Sequence, residues 1–187
     1  MKNISLILLL VLLSPFYSCS NVDDDKKTQN PSENSFTFNS ELYTTDELFW
    51  TFTPERVYFF IIDDTSEFNT VTREFEGEPG QIIFIELTVN EESNELIDIA
   101  GTYTDVVEIN SGNTTEVSFA AALVRDVPSL EALFNESNGS ETILRANAGE
   151  IAVGYDSETS IFSLDYTFTT EQGVVTGFHE SEFIILE

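Results

Sequence analysis

The segment Ile161-Phe162-Ser163-Leu164-Asp165-Tyr166-Thr167-Phe168-Thr169 decides the fold. Phe162, Leu164, Tyr166 and Phe168 alternate with Ser163, Asp165 and Thr167. A period of two puts the large apolar side chains on one face of a pleated strand and the polar ones on the other. Upstream, Glu150–Tyr155 repeats the pattern with Ile151, Val153 and Tyr155, and Asp156-Ser157-Glu158-Thr159 turns between the two strands. Downstream, Glu171-Gln172-Gly173 turns, Val174–Phe178 continues, and Phe183–Leu186 closes the chain. The interruption at His179–Glu182 predicts a bulge or a corner. Alternation with short polar turns describes an antiparallel meander with one solvated face.

The same reading extends towards the N-terminus. Phe36 and Phe38 mark a short strand; Asn39-Ser40 turns; Leu42-Tyr43-Thr44 pairs back; Leu48–Phe52 is the next strand, and Pro54-Glu55 turns again. Val57–Ile62 is apolar without interruption, the mark of a strand covered on both faces. Asp63–Gly80 is polar apart from Phe68, Val71 and Phe75 and reads as a long loop or irregular hairpin. Gln81–Val89 and Glu116–Val127 are strands, and Gly101–Thr104 lies between two turn regions. Pro128–Phe134 is the best helix candidate, ended by Asn138-Gly139.

Short strands at this spacing, little helix and no βαβ alternation give an all-β domain over residues 35–187, with about eight to ten strands expected. The doubly apolar Val57–Ile62 favours an antiparallel β-sandwich, Ig-like or jelly-roll-like; a lipocalin-like barrel is the alternative.

Composition bounds the function. The chain has 187 residues, 41% of them hydrophobic, with 16 Phe against one Met and one Trp, so it can fill a core rich in strand-forming side chains. A formal charge of −27 repels phosphate backbones and argues against nucleic-acid binding. It also disfavours docking on anionic lipid and keeps the protein soluble and monomeric.

The first residues give an address. Lys2, the apolar run Ile4–Leu13 and Ser18 before Cys19 have the form of a secretory signal. The run is too short to span a bilayer, which takes roughly 20 apolar residues. Cys19 is the only cysteine in the sequence, so no disulfide forms within this chain. Residues 20–34 hold one apolar side chain, Val22, and read as a flexible acidic tether.

The sequence Phe16-Tyr17-Ser18-Cys19 resembles the lipobox of bacterial lipoproteins, with Phe16 and Tyr17 standing where that family carries an aliphatic and a small residue. The resemblance implies removal of residues 1–18 and acylation of Cys19, palmitate included. Several chains, at about 0.8 kcal/mol per buried CH₂, make a durable anchor. A cleaved signal with a free thiol is the alternative. Asp23-Asp24-Asp25 resembles the export signal of Bacteroidota-type surface lipoproteins, which implies an outer-membrane location facing outward. Phe36-Thr37-Phe38-Asn39, Gly101-Thr102-Tyr103 and the closing pattern of Gly149, Ile161–Phe168 and Val175-Thr176-Gly177 resemble small β-rich lipoproteins of the same group, which imply no catalytic residues.

Little in the sequence has the form of reaction machinery. The single histidine, His179, lacks a nucleophile motif nearby and reads as a surface or edge-strand side chain. Zinc sites need several Cys or His ligands. Asp63, Asp64 and Glu67 are weak calcium candidates, without the glycine and terminal glutamate of an EF-hand loop. No other cofactor is expected. Phe49, Trp50, Phe52, Tyr58 and Phe59 offer either a sugar-stacking platform or core packing, and core packing is the simpler reading. Thirty-four acidic residues leave room for a hydrolase built on paired carboxylates. The expectation is therefore a non-enzymatic, lipid-anchored envelope protein that binds a glycan or a protein. A lipocalin-like carrier of a small apolar ligand and a carboxylate hydrolase are the alternatives.

Overall fold

The computed structural model describes residues 34–53, 55–64, 67–69, 71–72, 74–76, 80–89, 99–112, 114–115, 117–127, 142–182 and 184–185. These are strands and turns, with no α-helix among the described residues. Strand β1 (Ser35–Phe38) turns through Asn39-Ser40 into the long β2 (Glu41–Thr53), which returns as β3 (Arg56–Asp63). A hairpin of β4 (Glu67–Asn69) and β5 (Glu74–Glu76) leads to β6 (Gly80–Thr88). The short β7 (Gly101–Tyr103) and β8 (Asp105–Val106) precede β9 (Ser118–Val127). Then come β10 (Thr142–Arg145), β11 (Ala148–Asp156), β12 (Ile161–Thr170), β13 (Gly173–Ser181) and β14 (Ile184–Ile185).

All but the β4–β5 hairpin belong to one twelve-stranded sheet in the order β10-β9-β6-β3-β2-β1-β13-β12-β11-β7, with β14 on β2 and β8 on β9. Two crossings bend it almost closed into a barrel-like shape. At one, residues Glu41–Thr44 of β2 pair with β1, while Thr45–Thr53 pair with β3; the register slips at Asp46. The extra residue of this bulge sharpens the local twist and turns the strand from one half of the sheet into the other. At the opposite crossing, β7 pairs with β11 and β8 pairs with β9, with Thr104 alone between them.

The interior follows from the alternation. Phe162, Leu164, Tyr166 and Phe168 point inward with Phe36, Phe38, Phe59, Ile61, Ile83, Ile85, Phe119 and Val175, all between 0 and 3% exposed. Removing each such side chain from water contributes roughly 1.5–3 kcal/mol. Asp165 and Thr167 face solvent. Val57–Ile62 is buried on both faces, as its unbroken apolar character predicts. Val57, Phe59 and Ile61 enter the interior. Phe60 and Ile62 join Phe49, Ile82, Phe84, Ala122 and Val124 in a second apolar layer outside the sheet.

The structure departs from the sequence reading at several points. Leu42–Thr44 and Leu48–Phe52 are one bulged strand rather than two, because the bulge lets the hydrogen-bond ladder run through the polar Asp46-Glu47 step. Of the bulge or corner expected at His179–Glu182, the structure has no bulge, and β13 runs on to end at Ser181. β12 and β13 stay in register from Thr170↔Gly173 to Phe162↔Ser181, and the chain turns only beyond Ser181 to add β14 parallel to β2. Among the described residues, fourteen strand segments replace the expected eight to ten, since the polar turn regions contribute short pieces such as β4, β5, β7 and β8. The helix candidate Pro128–Phe134, Cys19 and Asp23-Asp24-Asp25 lie outside the described residues.

Candidate functional site

His179 is fully buried, not a surface or edge-strand residue, because β13 lies between β1 and β12. Its side chain falls on the same face as Gly177 and Val175, two and four residues back along the pleat. Nδ1 is hydrogen-bonded to the Thr45 hydroxyl at 2.9 Å, and Nε2 to the Ser181 hydroxyl at 3.2 Å. Burial disfavours the imidazolium and lowers the His179 pKa to about 4. A serine hydroxyl beside an imidazole nitrogen has the connectivity of a nucleophile and its base. The second nitrogen, however, meets a threonine where an acid would be needed to stabilise a developing imidazolium. With no exposed ring atom, His179 acts as a crosspiece tying β2 to β13.

The calcium candidates separate. Asp63 and Asp64 are successive residues at a strand end, so their side chains leave in opposite directions. Asp63 is 3% exposed, and its Oδ2 accepts a hydrogen bond from the Gln81 amide at 3.2 Å. The Asp64 carboxylate accepts one from the Thr44 hydroxyl at 2.6 Å. Glu67 opens β4, and its side chain lies outside what is described. Among the described residues, no group of three or more His, Cys, Asp and Glu side chains converges.

The aromatic candidates divide between core and surface. Phe49, Trp50 and Phe59 are buried, Tyr58 is half-buried, and Phe52 stands 62% exposed. Phe52 stacks on Trp50 with ring centroids 5.5 Å apart and planes at 24°. It pairs across the ladder with Val57, which pairs with Leu87, which pairs with Phe119. Phe52 is thus the outermost member of an apolar row whose other members are buried. At the same end of these strands lie the half-buried Val89 and the exposed Val117. Together they make an apolar rim with one aromatic ring held flat against the indole.

A buried ion pair missed by the sequence reading lies on the outer layer. Arg56 Nη1 meets Glu86 Oε1 at 2.9 Å, with the Glu86 side chain 2% exposed. The Asn110 amide donates to both Glu86 oxygens at 3.0–3.2 Å, and the Arg56 guanidinium donates to the Asn110 side chain and the Ser111 carbonyl. Burial raises the Glu86 carboxyl pKa, while the Asn110 amide and the Arg56 charge pull it down. This knot pins the chain after β8 onto the outside of β3 and β6. The strand pattern carried a signal for it: Glu86 breaks an otherwise apolar run, Ile82–Leu87.

A cleft of about 440 Å³ opens beside β9, lined by Val106, Val107, Glu108, Ile109, Ala121, Arg145, Ala146, Asn147 and Glu171. Glu108 and Glu171 are the two carboxylates brought together there, and both are exposed. The acid of a hydrolytic pair sits instead in apolar surroundings.

Comparison of the chain with protein-family models, with curated proteins and with solved structures finds no match in any of the three.

Proposed function

We propose that this chain is a lipid-anchored, non-enzymatic binding module of the cell envelope, held at the outer-membrane surface through Cys19, that takes a glycan or an envelope protein on its apolar rim. The observation that carries the reading is Phe52: a large aromatic ring, 62% exposed at the β2–β3 turn and backed face to face by Trp50. A flat ring held rigid by a buried neighbour contributes contact area at little cost in side-chain entropy, as aromatic anchors at binding surfaces do. The interior supports the same reading over a carrier of apolar ligands. Side chains at 0% exposure, such as Phe36, Phe59, Phe119, Phe168 and Tyr166, border no void large enough for water.

The rim is tested by retention of the mature protein on immobilised envelope polysaccharides and by crosslinking to envelope proteins in intact cells. Phe52→Ala abolishes the captured partner while the melting temperature stays unchanged. Equal capture by the variant would refute the rim. The anchor is tested separately by metabolic labelling with a clickable fatty acid; label retained in Cys19→Ala would refute lipidation at that residue.

A further inference from the structure

Two segments share one edge of β9 and then part. β8 pairs with Ser118 and Phe119, whereas β10 pairs with Ala122–Arg125, and the Ala146 amide donates to the Ala121 carbonyl at 2.8 Å. Past Val107 the first segment leaves the edge. Ile109 packs on the outer apolar layer, and Asn110 and Ser111 are held by Arg56. The second segment turns the other way, and the Asn147 amide donates to Thr169 on β12. The 440 Å³ cleft is the gap between them.

Its floor is apolar and firmly seated. Ala121 is buried in the core, and Val106 and Ala146 pack against that core. Its walls carry opposite charges: Arg145 on one, with Glu108 and Glu171 also facing the gap. Among the described residues these three side chains make no ion pair with one another or with any other group. Unlike charges around one small space that do not meet are complementary to a molecule that carries both signs. A guanidinium takes a carboxylate through two parallel N–H···O bonds, and carboxylates take an ammonium. The volume lies near the lower end of the range for small-molecule sites.

The geometry points to a binding site for a small zwitterion with an apolar side chain, a free α-amino acid or a dipeptide. Its carboxylate lies on Arg145, its ammonium on Glu108 and Glu171, and its side chain on Val106, Ala121 and Ala146. This site stands apart from the Phe52 rim and does not depend on it.

The test uses the mature full-length chain, with amide chemical shifts and calorimetry as readouts, and L-leucine, leucyl-leucine, N-acetyl-leucine and leucinamide as probes. Leucine or leucyl-leucine shifts the amides of Val107 and Ala146. Masking the amine in N-acetyl-leucine or the carboxylate in leucinamide weakens binding about tenfold or more. Arg145→Gln does the same, and because Arg145 is exposed the variant keeps its fold. No shift at either amide with leucine or leucyl-leucine at about 10 mM overturns the site. Equal binding of the masked probes, or an unchanged affinity in Arg145→Gln, overturns the assignment of a zwitterion.

Discussion

Tyr166 on β12 lays its ring directly over Gly177, its cross-strand partner on β13, so closely that a Cβ on Gly177 would collide with the ring carbons and the hydroxyl. The pair fills the middle of the sheet with one large side chain where two ordinary ones would not fit. Gly177→Ala therefore forces Tyr166 off its rotamer in a close-packed interior. The expected cost is about 1–3 kcal/mol, read as a lower midpoint in urea with an unchanged slope.

Tyr166 carries a second consequence. Its hydroxyl is fully buried and finds no hydrogen-bond partner among the described residues, and burial raises its pKa. A buried hydroxyl left unpaired gives up its water without compensation. Tyr166→Phe keeps the ring over Gly177 and removes the orphaned group. We expect a gain of about 1 kcal/mol in unfolding free energy; a loss of similar size would mean the hydroxyl has a partner.

His179 makes stability depend on pH in a defined direction. Its folded pKa, about 4, lies below the ordinary value of 6.5. The unfolded chain therefore binds the proton more readily between these values. The stabilising contribution is complete above pH 6.5 and is lost as pH falls towards 4, amounting to about 3 kcal/mol. His179→Gln keeps a hydrogen-bonding side chain without this titration. The difference between the two proteins' unfolding free energies should shrink across that window as the pH is lowered. A difference that is flat from pH 7 to pH 4 would contradict the burial of a neutral ring.

The Arg56–Glu86 pair predicts a non-additive pair of substitutions. Arg56→Met alone leaves the buried Glu86 carboxyl without its counter-charge and supported only by the Asn110 amide, at an expected cost of about 3–5 kcal/mol. Arg56→Met with Glu86→Leu removes both charges on the apolar outer layer and should recover most of that loss. Additive losses in thermal or urea unfolding would show the pair to be less buried than its geometry indicates.

The strands were legible in the sequence wherever the pleat speaks for itself. Phe162 to Phe168 alternate because successive side chains leave opposite faces, and that rule acts between neighbours in the chain. The turns at Asn39-Ser40 and Glu171-Gln172 were equally local; Asn39 and Ser40 both adopt positive φ, as a two-residue hairpin turn requires. The all-β class and the two covered faces of Val57–Ile62 followed from the same local physics. The candidate sites were legible only in part. Phe52 and Trp50 stood out as aromatics, but nothing in their spacing separates the exposed ring from the buried one.

What the chain's order of residues determined by itself is the set of strands, their apolar faces and the acidic, strand-rich character of the domain. The tertiary structure alone decided which strands distant in the chain became neighbours. Asp46 turns β2 between the two halves of the sheet, His179 meets Thr45 across 134 residues of sequence, and Arg56 finds Glu86 on the outer layer. Residues 106–109 and 145–147 form one cleft only because both lie against β9. Periodicity is written in contacts between adjacent residues, whereas pairing depends on which distant faces bury the most apolar surface together, and no local pattern records that outcome.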